Sequence, residues 1–180
     1  MKQRIDSKKY KNLLNSLRDE AKNTNTKVII RYREPSADEE HSVNGGFNFN
    51  DNVIKISVYG RQPRIYILAV LAHEIRHAQH LATGQYSDYY NYDRFFDSKF
   101  FKELKTNPFS VKLPNLRTGL NAEKNCNDFS IQWLLKHGID VLDYPFIYFL
   151  TEPYKLEGLA NFDFYDLIKK QRKNFKFRSV

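Results

Sequence analysis

Pro63-Arg64-Ile65-Tyr66-Ile67-Leu68-Ala69-Val70-Leu71-Ala72-His73-Glu74-Ile75-Arg76-His77 is the stretch on which the reading of this chain turns. Proline suits the first turn of a helix, where its missing N–H would have no partner anyway. Ile65 to Ala72 is apolar on all sides, yet too short to cross a bilayer, so a helix is predicted that is buried by a sheet on one side and by other helices on the other. Thr83-Gly84 ends it, glycine being a common terminator. On such a helix His73 and His77 lie about 40° apart around the axis and one turn apart along it, so both imidazoles can reach one metal ion. Glu74 is offset enough to stay off the ion and still touch a water bound there.

This H-E-x-x-H pattern carries a chemical expectation. A neutral imidazole binds Zn²⁺ at about 2.0–2.1 Å and leaves the ion charged enough to acidify water, whose pKa drops from about 15.7 toward roughly 7. Glu74 would take the proton as the hydroxide attacks a carbonyl, then pass it to the departing amine. With five histidines in 180 residues, the pattern arises in under roughly one per cent of random orderings of this composition. The plain alternative is two surface histidines with a glutamate between them.

A catalytic zinc usually has three protein ligands and one place for water. His80 shares the face of His73 and His77, but about 10 Å of helix separates it from His73, so it is expected to flank the site or to pack. Glu123 opens the helical stretch Glu123-Lys124-Asn125-Cys126-Asn127-Asp128-Phe129, far enough from His77 for a second helix to fold back against the first. Asp88, Asp93, Asp97, Glu103, Cys126, Asp128 and His137 are competing third ligands. Asn127 and Asp128 could accept a hydrogen bond from a ligand histidine and fix its tautomer. Arg76 is expected to act structurally, paired with an acidic residue. Tyr86, Tyr89, Tyr90 and Tyr92 follow the helix, where they could form a lip or pack in the core or rim.

The pairing of H-E-x-x-H with a downstream glutamate helix resembles the gluzincins. The run E-x-x-C-N-x-F-S resembles the E-x-x-A-N-x-F-A pattern of the minimal ImmA/IrrE-type metallopeptidases of prophages and bacterial stress responses, with Cys126 standing where that family has alanine. The resemblance implies zinc held by His73, His77 and Glu123, Glu74 as catalytic base, and a repressor-like protein as substrate.

Outward from the motif, apolar residues at Tyr10, Leu13, Leu14, Leu17 and Ala21 predict an amphipathic helix over Ser7–Lys22 with Asp6 or Ser7 as N-cap. Lys27–Arg33 is rich in β-branched residues and stopped by Glu34-Pro35-Ser36, which favours a strand. Phe47 and Phe49, the turn Asn50-Asp51-Asn52, and the alternation of Ile54, Ile56 and Val58 up to Gly60 predict a hairpin leading into the central helix. Downstream, Asp88–Leu104 has helical character, Asn107–Thr118 with Pro108 and Pro114 reads as a loop, and Leu120–Lys136 as a helix closing at His137-Gly138. Pro145 and Pro153 break the remainder before a helix from about Phe162 to Arg172. The expected fold class is α+β and zincin-like: a small twisted sheet whose hairpin precedes a buried active-site helix, then a glutamate helix.

A chain of 180 residues with 41% hydrophobic content is expected to form one domain over 1–180, with an N-terminal helix within 1–25 and a helical extension over about 140–180. A mean hydropathy of −0.65 and the absence of a long apolar run argue against a membrane span, and one cysteine, Cys126, forms no internal disulfide, so a cytoplasmic protein is expected. The net charge of +8 concentrates at the ends, at Lys2, Arg4, Lys8, Lys9 and Lys11 and at Lys169, Lys170, Arg172, Lys173, Lys176 and Arg178. Solvated termini explain such runs, and nonspecific nucleic-acid affinity is the other reading. The leading expectation is hydrolysis of a protein or peptide substrate by zinc-activated water, as a narrow-specificity intracellular protease. A non-catalytic zinc module that regulates or binds nucleic acid through its basic termini is the rival, and a metal-free nucleic-acid binder the third reading.

Overall fold

A computed structural model describes residues 5–34, 43–87 and 114–141, and these form three helices around one side of a three-stranded mixed sheet. Helix α1 spans Ser7–Lys22 and strand β1 Lys27–Arg33. Strands β2, Val43–Asn48, and β3, Val53–Tyr59, make the hairpin. Helix α2 spans Arg64–Thr83 and helix α3 Pro114–Lys136. The architecture is therefore α+β, as expected. The predicted helical segment Asp88–Leu104 and the predicted extension from about 140 to 180 with its basic run lie outside the described residues, apart from Asp140 and Val141.

The hairpin inserts β3 between the other two strands, giving the order β1-β3-β2 with β1 parallel and β2 antiparallel to β3. Its turn is closed by asparagine chemistry: the Asn48 side-chain oxygen accepts from the N–H groups of Asn50 and Asp51, and Asn52 sits at φ 51°. Alternation puts Ile54, Ile56 and Val58 on the buried face of β3, toward the helices. Against that face lies α2, buried from Ile65 to Ala72 except for half-buried Tyr66, because it meets the sheet, α1 and α3 together. Each fully buried aliphatic side chain here contributes about 1.5–3 kcal/mol of transfer free energy. Among the described residues no helix is long and apolar enough to cross a membrane.

Two elements differ from their predicted limits. The strand β2 starts at Val43 and includes Gly45 and Gly46, while Phe49 belongs to the turn. Glycines weaken strands, and the reason for one here is contact: a Cβ on Gly45 would overlap Val70 Cγ1 and come within 3.1 Å of Glu74 Cγ. Helix α3 begins at Pro114, inside the segment read as a loop; the proline is its first residue, the position where a missing N–H does no harm.

Small residues set the α2–α3 approach. Ala122, Cys126, Ser130 and Leu134 are fully buried at four-residue spacing along α3, and the Ser130 hydroxyl donates to the Ala69 carbonyl at 2.8 Å. On another side of α3 the Trp133 indole donates to Glu20 of α1 at 2.8 Å. These contacts fix the rotation of α3 and so decide which of its side chains face the histidines.

Candidate metal centre

The last two-thirds of α2 brings His73 and His77 onto the side that faces α3, one turn apart. Their Nε2 atoms are 3.0 Å from each other. Glu123, near the middle of α3, reaches both: Oε2 lies 3.2 Å from His73 Nε2 and Oε1 lies 3.3 Å from His77 Nε2. Three donors at these spacings match the edges of a coordination tetrahedron, which measure about 3.3 Å when each metal–ligand bond is about 2.0–2.1 Å. Glu123 is thus the acidic side chain that meets the motif.

Asn127, one turn beyond Glu123, receives the other ring nitrogen: His73 Nδ1–H donates to Asn127 Oδ1 at 2.8 Å. With Nδ1 committed, the lone pair of neutral His73 lies on Nε2, facing Glu123 and His77, the tautomer a metal ligand needs. Asp128 is the next residue along α3 and is half-buried; of the two side chains expected to orient a histidine, Asn127 bonds His73.

Cys126 is also within range. One ligand atom from each of His73, His77 and Cys126 lies within 4.8 Å of the other two, so these three form a group that could hold a metal ion. The sulfur has a second attachment, however, lying 3.8 Å from His80 Nδ1, and burial together with the charges of Glu123 and Glu74 pushes its thiol up. The closer spacing favours Glu123 as the third donor. Among the other competitors, Asp88, Asp93, Asp97 and Glu103 lie outside the described residues. His137 stacks on Trp133, 4.0 Å between ring centres, and bonds the Trp133 carbonyl, about four turns along α3 from Glu123.

Electrostatics without an ion follow from these contacts. Burial would push the His73 imidazole down, but the Glu123 carboxylate against it, with help from Glu74 and Asn127, raises it to about 9. Burial likewise opposes ionisation of Glu123, yet His77 and His73 hold it well below the usual carboxylate range. Glu74 is 8% exposed and lifted by burial, an effect that the two histidines oppose and Glu123 reinforces. The Phe47 backbone N–H of β2 donates to the Glu74 carboxylate, a contact that Gly45 permits by letting the strand lie close to α2.

His80 packs, as expected. Its Nε2–H donates to Asn125 Oδ1 at 2.9 Å, its ring edges against Tyr86 at 4.7 Å between centres, and burial lowers it to about 4. Tyr89, Tyr90 and Tyr92 lie outside the described residues. Arg76 is structural, and among the described residues its partners are amides in place of the expected acidic residue: it donates to Asn125 Oδ1 at 2.8 Å and Gln79 Oε1 at 3.0 Å, and lies over the Phe129 ring. One amide oxygen, that of Asn125, serves both Arg76 and His80. Sequence reading missed this acceptor and the Phe47 N–H; helical spacing alone hides both, although the glycine pair in β2 hints at the second.

Comparison of the chain with protein-family models, with curated proteins and with solved structures finds no match in any of the three.

Proposed function

We propose that this chain is a zinc metallopeptidase of the zincin type, with His73, His77 and Glu123 as metal ligands and Glu74 as the base. The observation that carries the reading is the convergence of two imidazole nitrogens and one carboxylate at mutual distances of 3.0–3.3 Å, beside a second, buried carboxylate. When bound, the ion supplies a Lewis acid that acidifies water and polarises a peptide carbonyl. The chain's own groups supply the rest. Holding the ion, His73 and His77 would be neutral donors that leave the site positive, Asn127 keeps the His73 ring turned inward, and Glu123 would add one negative charge.

Glu74 is raised by burial, so it takes up a proton more readily than a solvated carboxylate. The Phe47 N–H holds it in place from the strand side. In the proposed reaction Glu74 accepts a proton from water as the water oxygen bonds to the peptide carbon. It then delivers that proton to the amine nitrogen as the C–N bond breaks. The resemblance of the H-E-x-x-H and E-x-x-C-N-x-F-S segments to the ImmA/IrrE-type peptidases agrees with this assignment and suggests an intracellular protein, repressor-like in kind, as substrate.

A second reading rests on Cys126. If its sulfur joins His73, His77 and Glu123, four protein donors close the coordination sphere and the zinc is structural. Glu74→Gln separates the two. A peptidase keeps near-stoichiometric zinc in this variant and loses about 10²–10⁴-fold of its peptide hydrolysis. A variant that retains zinc and every effect of the parent supports the structural site. Wild-type protein purified without zinc, and unable to take it up, ends both.

A further inference from the structure

We infer that the groove between α1 and the start of α2 is a second binding site, for a phosphate ester carrying a flat ring, that is, a nucleotide unit. A cavity of about 950 Å³ opens there, lined by α1, the exit of β1 at Tyr32 and the β3–α2 connection. Four cations line it: Lys11 and Arg18 from α1, Arg61 from the connection and Arg64 from the first turn of α2. Among the described residues that line it, not one is an aspartate or a glutamate. Among the described residues none of the four cations makes an ion pair.

The acidic side chains of α1 are committed elsewhere, Asp19 to Lys22 and Glu20 to the Trp133 indole. Four like charges in one concavity repel one another, and an incoming anion relieves that repulsion while the cavity focuses the field on it. Arg64 is already fixed for the purpose. Its guanidinium donates to the Ile5 carbonyl at 3.1 Å and the Ser7 hydroxyl at 2.9 Å, and lies 5.5 Å above the Tyr10 ring. Arginine presents a planar fork suited to phosphate oxygens, and one held in place loses less entropy on binding.

The aromatic wall narrows the ligand class. Tyr32 is 66% exposed, against a chain whose other described large apolar side chains are nearly all covered, and its hydroxyl lies 3.5 Å from that of Tyr10. An exposed ring at the mouth of a cationic groove is the arrangement on which a base stacks while its phosphate meets the arginines. The groove is separate from the metal centre: Arg64 precedes His73 by nine residues, about 13 Å of helix.

Titration calorimetry of the full chain tests this with three probes: inorganic pyrophosphate, adenosine monophosphate, and a 5′-phosphorylated eight-residue oligothymidylate. All three are expected to bind, more weakly as salt rises. Arg18→Ala and Arg61→Ala, which remove exposed side chains, each weaken all three by about tenfold. Tyr32→Ala weakens the mononucleotide and the oligonucleotide by about tenfold and leaves pyrophosphate unchanged. Equal affinity for the two nucleotide probes identifies a free nucleotide as the ligand, and at least about tenfold tighter binding of the oligonucleotide identifies single-stranded nucleic acid. Absence of binding, binding indifferent to Arg18→Ala and Arg61→Ala, or Arg61-dependent binding only to vesicles containing phosphatidylserine overturns the proposal.

Discussion

His73 and His80 stand two turns apart on one helix, both against α3, and end in opposite chemical states. His73 presents one nitrogen to an amide oxygen and the other to a carboxylate, and is raised to about 9. His80 presents one nitrogen to an amide oxygen and the other to a thiol, and is lowered to about 4. Burial pushes both down; the close carboxylate decides the outcome. A histidine on α2 therefore becomes a candidate ligand or a packing residue according to which α3 side chain it meets, and that is set by the rotation that the Ala122-Cys126-Ser130-Leu134 stripe imposes.

The comparison breaks most decisively at Glu123. Its replacement by alanine is expected to weaken zinc binding by more than about 100-fold, because it deletes one of three donors, whereas Cys126→Ala changes affinity by no more than about threefold. Competition against a chromophoric chelator measures both. The reverse order would make the sulfur the third ligand and turn the His80 side of the interface into part of the metal centre.

The two asparagines sharpen the same contrast. Asn127→Ala removes the acceptor that holds the His73 tautomer and is expected to lower zinc affinity about 10–100-fold with the fold intact. Asn125→Ala leaves zinc affinity alone and strands the buried donors of Arg76 and His80, lowering stability by about 1–3 kcal/mol in denaturant unfolding. If the two variants have the same profile, the division of the α3 side chains into ligand-orienting and packing ones is wrong.

Much of this division was legible in the residues. His73, Glu74 and His77 follow from helical spacing on a helix whose burial is itself readable from Ile65–Ala72, and Glu123 from a second helical stretch, although it sits near the middle of that helix and does not open it. Spacing along one helix says nothing about the rotation of its neighbour, so Asn125 as a shared acceptor was invisible, and so were the two amides that Arg76 meets among the described residues. Pro114 misled for a related reason: its usual meaning as a loop marker gave way to the tolerance of a helix's first residue for proline, and the closeness of β2 to Val70 and Glu74 at Gly45 is a tertiary contact that strand alternation does not announce.

Acidity offers the finest test, since one titrating proton changes stability by at most about 1.4 kcal/mol per pH unit. In metal-free protein the His80 pKa is depressed from 6.5 to about 4, so between those values the unfolded chain binds the proton that the fold refuses, and stability falls as pH drops. His73 is raised from 6.5 to about 9; its ion pair contributes fully below about 6.5 and is lost as pH climbs toward about 9. Denaturant unfolding in chelator should thus decline on both sides of a maximum near 6.5. Zinc binds the unprotonated His73 ring, so adding it should remove the alkaline decline, while the acid decline remains and steepens, because protons compete with the ion for its ligands in addition to the His80 effect. An alkaline limb that survives saturating zinc would mean that the ion does not displace the His73 proton, and that His73 and His80 differ in charge but not in access to a metal.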